Sequence, residues 1–374
     1  MAVTWKQILD DEAREMWDRA LQRFPDCSPF QSYAWGEYRS SLGWQPFRWV
    51  AFDEAGEVVT MMQGSLRRYP LRLGMLWCEG GPVGDLNVCD ESMHRLIKQT
   101  TGLKRLYCRF RCDRARRIED ALTLTSKGWA MPWAPLTTNY SMWLDLSLDE
   151  ESLLAACDRN WRRNLRRSQE KNLSVSQWMD VNSDEVHSVY KSMQDLKGLD
   201  EQLSLEEIQQ LLKNLKQQLV VYRCDDEQGN VVSLLGCVVI GNHACAVFWA
   251  TSEAGRKLNA SYAVFWALLQ HCRRIGVKSY DLAGIDPIRN HGVYRFKRDT
   301  GASPIEYLGE WDWASRPFLR WVGNWAIARR THIDRARLAL QRPTDDSATE
   351  LTPLTAMLRM ALAALAFLTD SGMN

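Results

Sequence analysis

The sequence predicts an α/β protein made of two copies of one unit, each a mixed sheet with helices on its faces, followed by a helical tail. Three observations carry this. The chain has 374 residues, too many for one ordinary core. Its composition, 45% hydrophobic and 25% charged, is that of a soluble globular protein. It also nearly repeats itself: Asp53-Glu54-Ala55-Gly56-Glu57-Val58-Val59-Thr60 recurs as Asp226-Glu227-Gln228-Gly229-Asn230-Val231-Val232-Ser233.

In both copies an apolar, β-rich run precedes the Asp-Glu-x-Gly element and another follows it, so the element reads as a hairpin turn. The register persists downstream, where Gly102-Leu103-Lys104 matches Gly276-Val277-Lys278. Each of these glycines ends a helical pattern and precedes a short apolar strand, which is sound capping chemistry. Two matches in one order point to a duplicated domain. The order strand, turn, strand, strand, helix, strand predicts a mixed sheet. Residues 1–150 form the first unit, with Trp143-Leu144-Asp145-Leu146 as its last strand. Residues 151–315 form the second and 316–374 the tail.

Composition narrows the function. A net charge of +1 makes no global case for nucleic acid or membrane, so local patches must carry any such case. Ten scattered cysteines without a C-x-x-C pair read as reduced thiols, and six histidines without helical pairing argue against a metal site. The charged start, MAVTWKQILDDEAREMW, lacks the apolar region of a signal peptide, which suggests a cytoplasmic protein. Seventeen tryptophans read as large cores with half-buried rings, or as an aromatic groove.

Residues 280–310 carry the sharpest signal. A strand ending near Asp281 runs into a Gly-containing loop. Pro287 then suits the first turn of a helix bearing Asn290, Tyr294, Phe296, Lys297 and Arg298, with Gly301 at its end and a strand at IEYLG. Polar residues on a helix after a strand end are a common active-site layout. Spacing alone leaves the exposure of Lys297 open. Asp281 reads either as a proton acceptor or as a cap on its own loop.

Arg159, Arg162, Arg163, Arg166, Arg167 and Lys171 stand against one acid, Glu170. On a helix the first four fall on one face, which suits a phosphate backbone or a diphosphate; the other reading is a solvated face. In residues 316–342, Phe318, Trp321, Val322 and Trp325 form a helical stripe beside seven arginines. That pattern fits either an interfacial helix or one packed on the second unit. Residues 351–368 are apolar but contain Arg359 and Pro353, marginal for a span.

Three segments together resemble the Fem family of peptidoglycan interpeptide-bridge aminoacyltransferases. One is Pro29-Phe30-Gln31-Ser32-Tyr33-Ala34-Trp35 followed by Gly43-Trp44. Another is Asn160-Trp161-Arg162-Arg163-Asn164-Leu165-Arg166-Arg167 followed by Asn172-Leu173-Ser174-Val175. The last is Gly292-Val293-Tyr294 with Phe296-Lys297, Gly301 and Glu306-Tyr307-Leu308-Gly309. The resemblance implies two tandem GNAT-like acyltransferase domains. It implies transfer from an activated ester, usually aminoacyl-tRNA, to an amine of a lipid- or nucleotide-linked cell-wall precursor, with no cofactor. It makes Lys297 the functional lysine, with Tyr294 and Phe296 beside it, and places Gln31, Trp35 and Arg39 on the precursor side. A cation there would stabilise the oxyanion or grip a phosphate.

An acyl-CoA donor remains an alternative. The loop that would cradle its pyrophosphate reads Arg256-Lys257-Leu258-Asn259-Ala260-Ser261, with Asn259 and Ser261 in place of the usual glycines. A non-catalytic binder of precursor or membrane is the remaining reading. Peripheral contact with an anionic membrane at the inner face is expected through residues 316–368.

Overall fold

The computed structural model describes residues 3–197, 203–287 and 290–340. The apolar stretch 351–368 lies outside them. The chain opens with β1 (Thr4–Ile8), α1 (Asp10–Leu21), α2 (Tyr33–Ser41), the hairpin β2 (Gln45–Phe52) and β3 (Val58–Tyr69), β4 (Leu73–Glu79) and a short β5 (Val83–Gly84). It continues with α3 (Glu91–Thr101), β6 (Arg105–Ala115), α4 (Ile118–Ser126) and β7 (Tyr140–Asp145). Helices α5 (Glu150–Ala156) and α6 (Arg159–Gln169) lead into the second repeat. There β8 (Ser174–Gln177), α7 (Ser183–Lys197), α8 (Leu205–Asn214), β9 (Leu219–Asp225), β10 (Val231–Ile240) and β11 (His243–Thr251) follow in turn. Then come α9 (Glu253–Lys257), α10 (Ala260–Arg274), β12 (Ser279–Asp281), α11 (His291–Arg298), β13 (Ser303–Ala314) and α12 (Pro317–Leu340).

The duplication is visible at its turns. Gly56 and Gly229 both sit at φ 81, in the left-handed region that glycine enters without a Cβ penalty. Each turn closes in the same way: Gly56 N–H donates to Asp53 O and Gly229 N–H to Asp226 O, both at 3.0 Å. The aspartate side chains repeat the pattern, Asp53 accepting from Glu57 N (2.8 Å) and Asp226 from Asn230 N (2.9 Å). Both repeats then make a parallel crossover, β4 to β6 around α3 and β11 to β12 around α10.

Among the described residues thirteen strands join one sheet, in the order β1-β2-β3-β4-β6-β13-β7-β12-β11-β10-β9-β8 with β5 beside β3. The pairing crosses the unit limits read from the chain. β7, which closes residues 1–150, pairs with β12 and β13, while β13, from the second repeat, pairs along β6. The repeats thus exchange their last strands. β13 runs beside β7 from Ser303 to Glu306 and beside β6 from Tyr307 to Ala314, with a register irregularity at Tyr307/Gly309.

A polar clasp fixes this exchange. Arg109 of β6 is fully buried; it pairs with Glu310 at 2.8 Å and with Asp312 at 3.6 Å, both on β13. Asn324 of α12, also fully buried, accepts from Arg109 at 3.1 Å, so α12 is docked through its first half. Apolar packing joins the repeats a second time. Trp35 and Tyr38 of α2 share a core with Val186 and Tyr190 of α7 and with Ile208 and Leu211 of α8. Among the described residues no helix is long and apolar enough to cross a membrane. All ten cysteines are buried free thiols.

Two expectations need correction. The helix expected from Pro287 begins at His291, with Asn290 at its N-cap and no side-chain cap bond. Arg162 does not share the free face of α6: it is half-buried and donates back to Ala155 O at 3.0 Å. The exposed arginines of α6 are Arg159, Arg163, Arg166 and Arg167.

Candidate functional site

The second repeat has an opening that the first lacks. β4 and β6 pair over seven positions, from Leu73↔Arg105 to Glu79↔Arg111. β11 and β12 pair over three, ending at Cys245↔Asp281, while β11 runs on to Thr251. A register shift between Gly236 and Cys237 of β10 bends β11 at that level. The chain leaving β12 turns through Ala283 at φ 62, and α11 packs above the gap.

Lys297 lies beneath this loop. It is 6% exposed, and its Nζ donates to Ala283 O at 3.1 Å and Gly284 O at 2.9 Å. An ammonium has three donors, so one N–H has no partner among the described residues. Burial pushes the amine down to about 8, with the nearby Asp281 carboxylate opposing. Asp281 accepts from Ser141 Oγ, from the Tyr307 hydroxyl and from Ala283 N–H (2.8 Å). The last bond makes it the cap of its own loop. Burial raises its carboxyl above the usual range, and the Asp113 carboxylate adds to this against the three hydrogen bonds. Tyr307 reaches Asp281 because β13 crosses from one half-sheet to the other there; its hydroxyl also accepts from Trp143 Nε1 at 3.0 Å.

Asp113 of β6 faces this cluster from the first repeat. Arg111 holds it through Nε at 2.7 Å and Ser28 Oγ at 2.9 Å. Although burial opposes its charge, Arg111 is kept protonated by Asp113 and Glu79. A small cavity between the repeats is lined by Phe30, Asp113, Trp143, Cys245 and Asp281, among others. The arrangement supplies a buried cation, a carboxyl that burial raises (Asp281), a second carboxylate gripped by Arg111 (Asp113), and a tyrosine that donates to Asp281.

The other expected residues scatter. Phe296 belongs to the core: its ring meets those of Trp161, Trp249 and Tyr262 at 6.0, 5.0 and 4.9 Å. Trp161 is on α6, so the arginine helix packs directly on α11. Tyr294 is half-buried against the same core, with the Arg298 guanidinium 6.0 Å from its ring. Gln31 is fully buried, giving its amide to Gln63 O (3.0 Å) and Glu79 O (2.7 Å) and accepting from Gln63 N (2.6 Å). It braces backbone, and its amide donors are both spent. Trp35 is packed between Phe30 and Tyr38 and donates to Glu79 at 3.3 Å. Arg39 lies over the Trp44 ring at 4.7 Å, away from the cavity, and its buried Nε has no partner among the described residues.

Sequence reasoning missed Asp113, Arg111, Ser141 and the role of Tyr307. Asp113 carried one signal: it is the lone acid in the cationic strand CRFRCDRARR.

Near α6 stands one more feature. α10 starts after Asn259, which is left-handed at φ 57 and makes no side-chain cap bond. Tyr262 in its first turn accepts from Asn164 of α6 at 3.0 Å.

Residues 197–326 match the FemAB family, a stretch that contains Asp281, Lys297 and Tyr307. Aminoacyltransferase FemA from Staphylococcus aureus is 30% identical over 95 residues, which is 24% of this chain and 23% of that protein; the chain thus matches about a quarter of the relative's length. Among solved structures, FemX has a TM-score of 0.68 at 14% identity, over 83% of this chain and 96% of FemX. A tandem GNAT protein from the clavulanic acid biosynthesis pathway has a TM-score of 0.52 at 11% identity, over 84% of this chain and 99% of that one. The fold is therefore that of tandem GNAT-like proteins.

Proposed function

We propose, from the FemAB-family domain at residues 197–326 and the cation it buries, that the chain is an aminoacyltransferase. It moves an amino acid from an aminoacyl-tRNA to an amine of a lipid- or nucleotide-linked peptidoglycan-type precursor, on the cytoplasmic side. The observation that carries the reading is Lys297, set under the open end of the β11–β12 pair with one donor uncommitted among the described residues.

Attack of an amine on an ester carbonyl creates a tetrahedral oxyanion. A cation already fixed by two carbonyls stabilises that charge without reorganising during the reaction. The attacking amine must lose a proton, and a carboxylate at the cavity wall can take it. Asp281, with its raised pKa and three hydrogen bonds, also holds the loop that carries the carbonyls gripping Lys297. The expelled ester oxygen leaves as the ribose hydroxyl of the tRNA. The exposed Arg163, Arg166 and Arg167 beside the uncapped start of α10 suit phosphates of that donor.

The test is incubation with purified precursors, charged tRNA and acyl-CoA in separate arms, followed by product mass analysis. Product formed with charged tRNA supports the reading; product formed only with acyl-CoA rejects it. Replacing Arg163, Arg166 and Arg167 together should weaken tRNA binding and reduce its salt slope by about three counterions' worth. An unchanged slope would leave α6 a solvated face.

A further inference from the structure

We propose that the end of the sheet where the β3–β4 turn, the start of β6 and the start of α12 meet is a docking surface for an anionic membrane leaflet. Strand pairing brings these segments together: Leu73 pairs with Arg105, Ala314 pairs with Tyr107, and Ser315 donates through Oγ to Lys104 O at 3.1 Å. The surface stands apart from the catalytic reading and is read by binding, so either can fail alone.

The surface carries apolar side chains that no described residue covers. Leu71 is 80% exposed, Phe318 67%, Trp133 56% and Trp321 53%. Phe318, Trp321 and Trp325 form a ladder with ring centroids 6.4 and 6.5 Å apart. Met131 and Trp133 join it because Arg320 donates to Met131 O at 2.9 Å. Soluble proteins seldom leave so many large apolar groups grouped in water.

The backbone goes out of its way to present Leu71. Leu71 and Arg72 are consecutive non-glycine residues in the left-handed region, at φ 61 and 55. Such strain persists only where the surroundings impose it, and it gathers at functional places. Here Arg105 bonds Leu71 O at 3.4 Å, and the Leu71 side chain is left in solvent.

Charge selects the partner. Segments 66–76, 103–107 and 313–329 contain basic residues and no acid, and segment 131–137 contains neither. Arg68, Arg72, Lys104, Arg105 and Arg316 are all exposed, and Arg329 lies over the Trp325 ring at 5.6 Å. Aromatic and aliphatic tips surrounded by cations match the interface of an anionic bilayer, where tips enter the acyl boundary and cations meet headgroups.

The test is sedimentation of the full chain with vesicles of phosphatidylcholine, with and without phosphatidylglycerol. The protein should bind only the phosphatidylglycerol vesicles, and high salt should weaken binding. Changing Leu71→Ser, Phe318→Ser and Trp321→Ser together should reduce partition at least about tenfold. Changing Arg72→Glu, Lys104→Glu and Arg316→Glu should lose about fivefold for each cation. All six are exposed, so an unchanged melting temperature is expected and checks folding. Absence of binding to phosphatidylglycerol vesicles overturns the proposal, as does equal binding to phosphatidylcholine alone. So does unchanged binding of both folded variants, which would move the anchor to residues 341–374.

Discussion

The two repeats share their turns, crossovers and strand order, yet one is closed and the other open. In the first, β4 and β6 are hydrogen-bonded partners over seven positions, and Cys78, Cys108 and Phe110 fill the layer beside them. In the second, the equivalent pair parts after three, and a loop and a short helix occupy the space. Duplication therefore conserved the topology, while the length of one parallel pairing decided which copy has room for chemistry. Substitutions in the closed repeat should act mainly on stability, and those at the opening mainly on rate.

The largest expected effect is in the closed repeat. Arg109→Ala strips the cation from buried Glu310, while Asp312 keeps Arg320, and should cost about 3–5 kcal/mol in chemical denaturation. A loss below 1 kcal/mol would mean that the strand exchange does not depend on this clasp. Lys297→Ala comes next, with turnover falling about a hundredfold. It also deprives two loop carbonyls of their donor, at about 1–3 kcal/mol of stability. Near-normal turnover would place the catalytic cation elsewhere. The Lys297 amine loses its charge as pH rises through about 8, so turnover limited by that cation falls above this pH. Lys297→Arg should carry the fall to higher pH, because a guanidinium stays charged. A rate that climbs through pH 8 in the parent but not in Lys297→Arg would instead make the neutral amine a base.

In the closed repeat pH acts on folding. His94 is buried, stacked on Trp313 at 4.3 Å, and its Nε2 has no partner among the described residues. Burial lowers its pKa from 6.5 to about 4, with Asp90 opposing. Below 6.5 the unfolded chain takes the proton that the folded one refuses. Stability should thus fall as pH drops from 6.5 to about 4, by about 3 kcal/mol. His94→Leu should flatten that limb, and an unchanged limb would assign acid sensitivity to other groups. The smallest effect tests the likeness itself. Neither Gly56 nor Gly229 has anything within 4 Å of an added Cβ, so alanine at either should cost only its left-handed backbone, about 1 kcal/mol. Clearly unequal losses would show that the two turns are not equivalent.

Much of this fold was legible locally. The Asp-x-x-Gly turns, the helix stop at Gly102 (φ 67) and the strand before Asp281 follow from short-range chemistry. The exchange of β7 and β13 was not, because alternation along a strand says which face is buried and nothing of which strand lies alongside. The site divides in the same way. The Phe296-Lys297 motif singled out the lysine, but its burial is set by carbonyls thirteen and fourteen residues earlier. Gln31 stood out as a polar residue in a motif, yet its partners are backbone groups on β3 and β4. Asp113 needed the crossing of β13 to bring Tyr307 and Asp281 toward β6.

The strand exchange has a consequence for synthesis. When β6 leaves the ribosome its outer edge has no partner, since β13 lies at 303–314. About 200 further residues must be made first, roughly 10–40 s at ordinary elongation rates. For that time the nascent first repeat carries an open strand edge, the kind that invites pairing with other chains. It is closed only when the second repeat has been made and gives up its last strand.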